Sequence, residues 1–271
     1  CPKRNRINDK CNMVYGVEKF KEAFAAFQDC YVVIGGTACD AVLAGSRMKA
    51  RATDDIDMIV VVEKQTPAFV ETFWRFIFEG EYKNGKRKRG EDNEPVYELY
   101  RFTDPNEGYP IQIELLARHS DALGSPSGFH IEPLPTEEEQ YSLSAIMLDD
   151  DYYHLTVQNS EIVDGLRVAS PLALIGLKER AFLNLLSDRE QGKKVNTRDI
   201  TKHRNDVLKL AAIITPGPYS CSEGIFVTNR DYVEHIRTML LSQALQDALG
   251  VGDEEVADLV ETLDKLFRVE E

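Results

Sequence analysis

Arg51-Ala52-Thr53-Asp54-Asp55-Ile56-Asp57 runs directly into the apolar residues 58–62, so two carboxylates at i and i+2 lie inside a segment that reads as a strand. Successive strand residues alternate faces, which sends Asp55 and Asp57 to the same side. About twenty residues upstream, Tyr31-Val32-Val33-Ile34-Gly35-Gly36-Thr37 reads as a buried strand ending in a glycine turn, with helix-compatible sequence behind it. A turn that backbone amides can present to phosphate thus lies close in sequence to a pair of carboxylates suited to a metal.

Working outward, Phe20, Phe24 and Phe27 are spaced for an amphipathic helix before the first strand, and a short helix is expected from Cys39 to a stop at Gly45-Ser46. Thr66-Pro67 supplies an N-cap and a first-turn proline for a helix carrying Phe69, Phe73, Trp74, Phe76 and Ile77 and ending near Gly80. Residues 81–94 are charged and lack an apolar face, which predicts a mobile loop or a hairpin tip. Strands are expected over 96–102 and 109–116, and in the second of these Gln112 and Glu114 share the face opposite Ile111, Ile113 and Leu115. A hairpin closed at Asn159-Ser160 is expected from residues 152–157 and 161–168. Ser170-Pro171 opens a helix through Leu186, and the remaining pattern reads as all helical, over about 197–214, 229–248 and 252–268. The expected class is α+β: a mixed-sheet core domain over residues 1–169 and a helical C-terminal domain over 170–271.

The chain of 271 residues is 43% hydrophobic and 29% charged, the balance of a soluble globular protein. No apolar run reaches the roughly 20 residues that span a bilayer, and no export signal is read at the start, so a cytoplasmic protein without membrane contact is expected. Cysteines at 1, 11, 30, 39 and 221 lack metal-knuckle spacing, and Cys30 and Cys39 read as small packed residues. A net charge of −14 argues against nonspecific duplex binding. Residues 231–271 carry 11 acidic against 3 basic residues, whereas Lys83, Lys86, Arg87, Lys88 and Arg89 form a basic run that suits a polyanion.

Asp55 and Asp57, joined by Glu114 from a later strand, make an oxygen-only set suited to Mg2+ or Mn2+. Gly35 and Gly36 allow close approach to a triphosphate, and the following helix N-terminus adds partial positive charge.

The form Ile34-Gly35-Gly36-Thr37 with Arg51-x-Thr53-x-Asp55-Ile56-Asp57 resembles the nucleotidyltransferase superfamily of the DNA polymerase beta-like fold, most closely the AbiEii/AbiGii-type toxin branch. The resemblance implies catalytic and metal-binding roles for Asp55 and Asp57, with Glu114 as third member. It also implies nucleotide contacts from Gly35, Gly36, Thr37, Arg51 and Thr53, and from Lys178 and Asp206 in the helical part. Arg198-Asp199 is a second candidate element there, and Lys202 with Asp206 reads equally well as an ion pair on a solvated helix face. His203 is a candidate general base, but among Lys and Arg it reads rather as a surface residue. The implied reaction moves an NMP from an NTP such as ATP, GTP or CTP to an acceptor hydroxyl. The acceptor is an RNA 3′ end or a small molecule, and the toxin branch implies a cognate antitoxin as partner. A catalytically silent nucleotide-binding module is the alternative from another class.

Overall fold

The structure, a computed structural model, describes residues 15–50, 53, 55–88, 95–116, 149–239 and 243–270. The expectations for Arg51 and for Arg89 lie outside them. Among the described residues no helix is long and apolar enough to cross a membrane.

In chain order, α1 (Val17–Phe24) leads through a 3-10 segment (Ala25–Cys30) into β1 (Tyr31–Ile34), α2 (Gly35–Leu43) and β2 (Asp55–Val60). Then come α3 (Pro67–Glu79), β3 (Lys83–Lys88), β4 (Pro95–Thr103) and β5 (Gln112–Leu116). The next elements are α4 (Asp150–Gln158), β6 (Ser160–Val163), β7 (Leu166–Ala169), α5 (Pro171–Glu190) and α6 (Thr197–Ala211). The chain continues with β8 (Tyr219–Cys221), α7 (Glu223–Arg237), α8 (Gln243–Leu249), α9 (Asp253–Asp264) and β9 (Phe267–Val269).

Among the described residues, seven strands form one mixed sheet in the order β3-β4-β5-β2-β1-β7-β6. β2 is antiparallel to β1 and parallel to β5, and β7 is parallel to β1. This mixed α and β architecture agrees with the α+β expectation at the level of class. The sheet ends at Ala169 and long helices follow from Pro171, yet the buried apolar cluster runs on through both parts, from Val17 to Phe267.

Alternation in the central strands explains how the sheet divides its faces. Ile56, Met58, Ile113, Leu115 and Phe102 are fully or almost fully buried, while Asp55, Asp57, Gln112, Glu114, Arg101 and Thr103 keep partial exposure. The apolar face packs against α1 and α3 through aromatic rings: Phe73 lies 5.7 Å from Phe102 in an edge arrangement, and Phe24 sits 6.4 Å from Phe73. Thr66 caps α3 by accepting from the Phe69 amide, as the Thr-Pro start predicts. In the helical part, α5 opens with the apolar run 171–177 and is enclosed by α2, α4, α6 and α7, which accounts for the burial of its first half and of Lys178 and Glu179 with it.

Several expectations are corrected. The charged segment over 81–94 contains strand β3 at the edge of the sheet, paired antiparallel with β4, so the mobile-loop reading gives way to the hairpin one. Residues 150–158 are helix α4: Asp149 caps it and Asp150 and Asp151 lie in its first turn, where carboxylates favour helix. The hairpin that follows closes at Asp164-Gly165, not Asn159-Ser160, with both residues at positive φ, the geometry that Asp-Gly serves best. The C-terminal part is not all helical, because β8 and β9 pair in parallel as a second small sheet. The helix expected over 229–248 is two helices, α7 and α8. The predicted glycine turn is tighter than expected, since α2 begins at Gly35 itself.

Candidate functional site

Strand pairing assembles the polar face. Ile34 lies opposite Asp57, Asp57 opposite Glu114, and Glu114 opposite Arg101, so one row of residues crosses β1, β2, β5 and β4. A second row two residues along joins Asp55, Gln112, Thr103 and Lys83. Adjacent strands stand about 4.8 Å apart, so the rows bring Asp55, Asp57, Glu114 and Arg101 onto one patch.

Gly35 is fitted to this patch. It turns the chain from β1 into α2 at φ +69°, and a Cβ there would fall 2.2 Å from Asp57 Oδ2. The Asp57 carboxylate therefore lies across a backbone with no side chain, next to the first turn of α2. Thr37, buried in that turn, donates its hydroxyl to the Asp55 backbone carbonyl and ties α2 to the start of β2. Gly36 is buried in the same turn, and Thr53 is half-buried just before β2.

Asp57 bears the electrostatic consequences. Burial first, then the negative charges of Glu114 and Asp55, push its carboxyl up to about 7, while Lys178 and Arg101 pull it down. Glu114 is engaged by Arg101, whose Nε and Nη2 donate to Glu114 Oε2 at 3.2 and 2.9 Å. Among the described residues no three His, Cys, Asp or Glu side chains stand grouped so as to hold a metal ion.

Lys178 reaches this field from α5. Its Nζ donates to Asp206 Oδ2 at 2.8 Å, and the two side chains are only 2% and 4% exposed. The equal reading of Lys202 with Asp206 as a surface pair is corrected: Lys202 pairs with Asp199 at 3.2 Å, and Asp206 turns inward. His203 is likewise buried, at 9% exposure, not on the surface. Arg198-Asp199 lies in the first turn of α6, where Arg198 is exposed and Asp199 pairs with Lys202.

The site thus unites Gly35, Thr37, Asp55, Asp57 and Glu114 around the β1–α2 turn, and brings the Lys178–Asp206 pair close enough to act on Asp57. Arg101 is the residue that sequence reasoning missed. Its strand was recognised, but its position opposite Glu114 depends on register across two strands, for which a single sequence carries no direct signal. Cys30 and Cys39 are buried, as read. Comparison of the chain with family models, with curated proteins and with solved structures returned no match.

Proposed function

We propose that the chain is a nucleotidyltransferase of the DNA polymerase beta-like fold, moving an NMP from an NTP to an acceptor hydroxyl and releasing pyrophosphate. One observation carries the reading: three carboxylates share a sheet face at the foot of a helix that begins on a side-chain-free residue, with a buried lysine charge behind them. Burial of Asp57, with the negative charges of Glu114 and Asp55 beside it, makes its ionised form costly and raises its carboxyl. A divalent cation relieves that cost, and an all-oxygen donor set suits Mg2+ or Mn2+.

Asp55 and Asp57 would hold the cation with Glu114 drawn in from its contact with Arg101, since the three carboxylates do not stand grouped for a metal while that contact is made. When bound, it polarises phosphoryl oxygens and offsets their developing charge. The chain's own groups do the rest. Gly35 and Gly36 let the carboxylate patch lie against the first turn of α2, whose amides and helix dipole favour the phosphates of a bound nucleotide. Lys178 contributes positive potential at the base of the site, and Asp206 fixes its ammonium by a buried charge-assisted bond. Thr53, at the entry to β2, is a further nucleotide contact, and Arg51, two residues earlier in the sequence, is inferred as another.

An RNA 3′ end is the first acceptor we infer, in a toxin-type enzyme with a cognate antitoxin. The lysine- and arginine-rich edge strand β3 supports it, lying three strands from β2 in the same sheet. A small-molecule hydroxyl is the second, favoured by the net charge of −14. Incubation with each labelled NTP, Mg2+ and total RNA tests the reading. A labelled RNA that disappears with Asp57→Ala is the expected result. Absence of both transfer and binding for every NTP would refute it.

A further inference from the structure

Arg101 occupies a place that the proposed reaction has not yet used. It stands across from Glu114 in the β4–β5 register, as Asp57 does in the β2–β5 register, so Glu114 is flanked by a guanidinium on one side and a carboxylate on the other. Both nitrogens that Arg101 directs at Glu114 converge on the single oxygen Oε2. The pair is only partly withdrawn from water, with side-chain exposures of 30% for Arg101 and 16% for Glu114. The guanidinium charge is also felt at Asp57.

Two physical demands meet at this pair. With three carboxylates on one face and no divalent charge, a cation from the chain must offset the repulsion, and Arg101 does so at Glu114. A divalent ion that takes Glu114 as a ligand competes for the same oxygen lone pairs. Once displaced, a permanently charged planar fork at a half-open site needs an anion, and a polyphosphate entering with the cation presents one with matching geometry.

We propose that Arg101 is a phosphate-binding residue of the nucleotide site, held by Glu114 in the nucleotide-free protein and transferred to the donor's polyphosphate when the cation claims Glu114. This rests on the nucleotidyltransferase reading. It adds to it an exchange of partners: the Arg101–Glu114 ion pair gives way to a cation–carboxylate contact and a guanidinium–phosphate contact, with no net change in charge on the chain.

The test uses the full chain and a base-free probe, inorganic tripolyphosphate. Calorimetry at saturating Mg2+ gives its affinity for the wild type, Arg101→Gln and Arg101→Lys, and Mn2+ titration without phosphate gives the affinity for the cation alone. Arg101→Gln is expected to weaken tripolyphosphate by about tenfold or more, the worth of a charged hydrogen-bonding contact. It should at the same time tighten Mn2+ by about threefold, because Glu114 loses a competing partner. Arg101→Lys keeps the charge without the fork and should fall between the two for tripolyphosphate. Opposite movement of anion and cation affinity is the signature. Movement of both in the same direction, as from a loosened sheet, or of neither, overturns the assignment. A wild type that binds neither Mn2+ nor tripolyphosphate removes the nucleotidyltransferase reading itself, a result distinct from a wild type that binds both while Arg101→Gln leaves them unmoved.

Discussion

Lys178 on α5 and Asp206 on α6 are joined by a 2.8 Å ion pair whose two side chains are almost wholly shielded from water, and the same ammonium acts on Asp57 in the sheet. The helical part is thereby tied to the carboxylate patch by charge as well as by packing.

Lys178→Met should destabilise the fold by about 3–5 kcal/mol, because it strands the Asp206 carboxylate in the interior. The double variant Lys178→Met with Asp206→Leu should recover most of that loss in urea unfolding. A double variant no more stable than the single one would mean that shape, not charge, governs the site.

Gly35→Ala places a methyl group within 2.2 Å of Asp57 Oδ2 at a backbone angle that side chains rarely adopt. The expected cost is about 1–2 kcal/mol for the left-handed backbone alone. Displacement of Asp57 should reduce nucleotidyl transfer by more than the loss of folded protein does. Transfer rates corrected for folded fraction check this, and a corrected rate equal to wild type would contradict it.

The Asp57 carboxyl is raised from its ordinary 3.8 to about 7 in the metal-free fold. The folded chain therefore holds a proton that the unfolded chain has released, and the stability of the metal-free protein declines as pH rises from about 4 through 7. Asp57→Asn lacks this decline. Its melting temperature should exceed that of wild type more at pH 8 than at pH 5, and added Mg2+ should close the gap by stabilising wild type alone.

Glu179 offers a comparison away from the site. Burial pushes it from 4.5 to about 8, with the Asn229 amide donating to its Oε1 at 2.9 Å and working the other way. By the same sign, stability falls as pH rises from about 4.5 through 8. Glu179→Gln should raise the melting point at pH 8 by at least about 3 °C, roughly one kcal/mol in a chain of this length, and by less at pH 5. Unlike Asp57→Asn, it should leave the response to Mg2+ intact, which differential scanning calorimetry with and without the ion will show.

The parts of this fold that were legible in the sequence are those in which one short segment carries its own signal. Alternation along β2 and β5 showed that Asp55 and Asp57, and Gln112 and Glu114, each share a strand face. Thr66-Pro67 announced α3. Other local signals were present and outweighed by a competing pattern. Asp149-Asp150-Asp151 favours a helix start, but the aromatic and β-branched residues behind it read as strand. Asp164-Gly165 is the stronger hairpin turn, passed over for Asn159-Ser160. β3 lacks apolar alternation because an edge strand needs no second neighbour, and lysine there discourages edge pairing. Arg101 opposite Glu114, the inward turn of Asp206 and the β8–β9 pair all rest on relations between distant segments, which no local pattern encodes.

The row from Ile34 to Arg101 also bears on how the chain acquires its chemistry while folding. Polar and apolar residues alternate over 112–115 of β5, so a slip of one residue against β2 would drive Glu114 into the aromatic interior and expose Leu115. Correct registration is therefore selected by water exclusion long before any ligand is met. The charged patch comes into being in the same event that closes the interior, and intermediates with β5 undocked should be blank to cations and nucleotides alike.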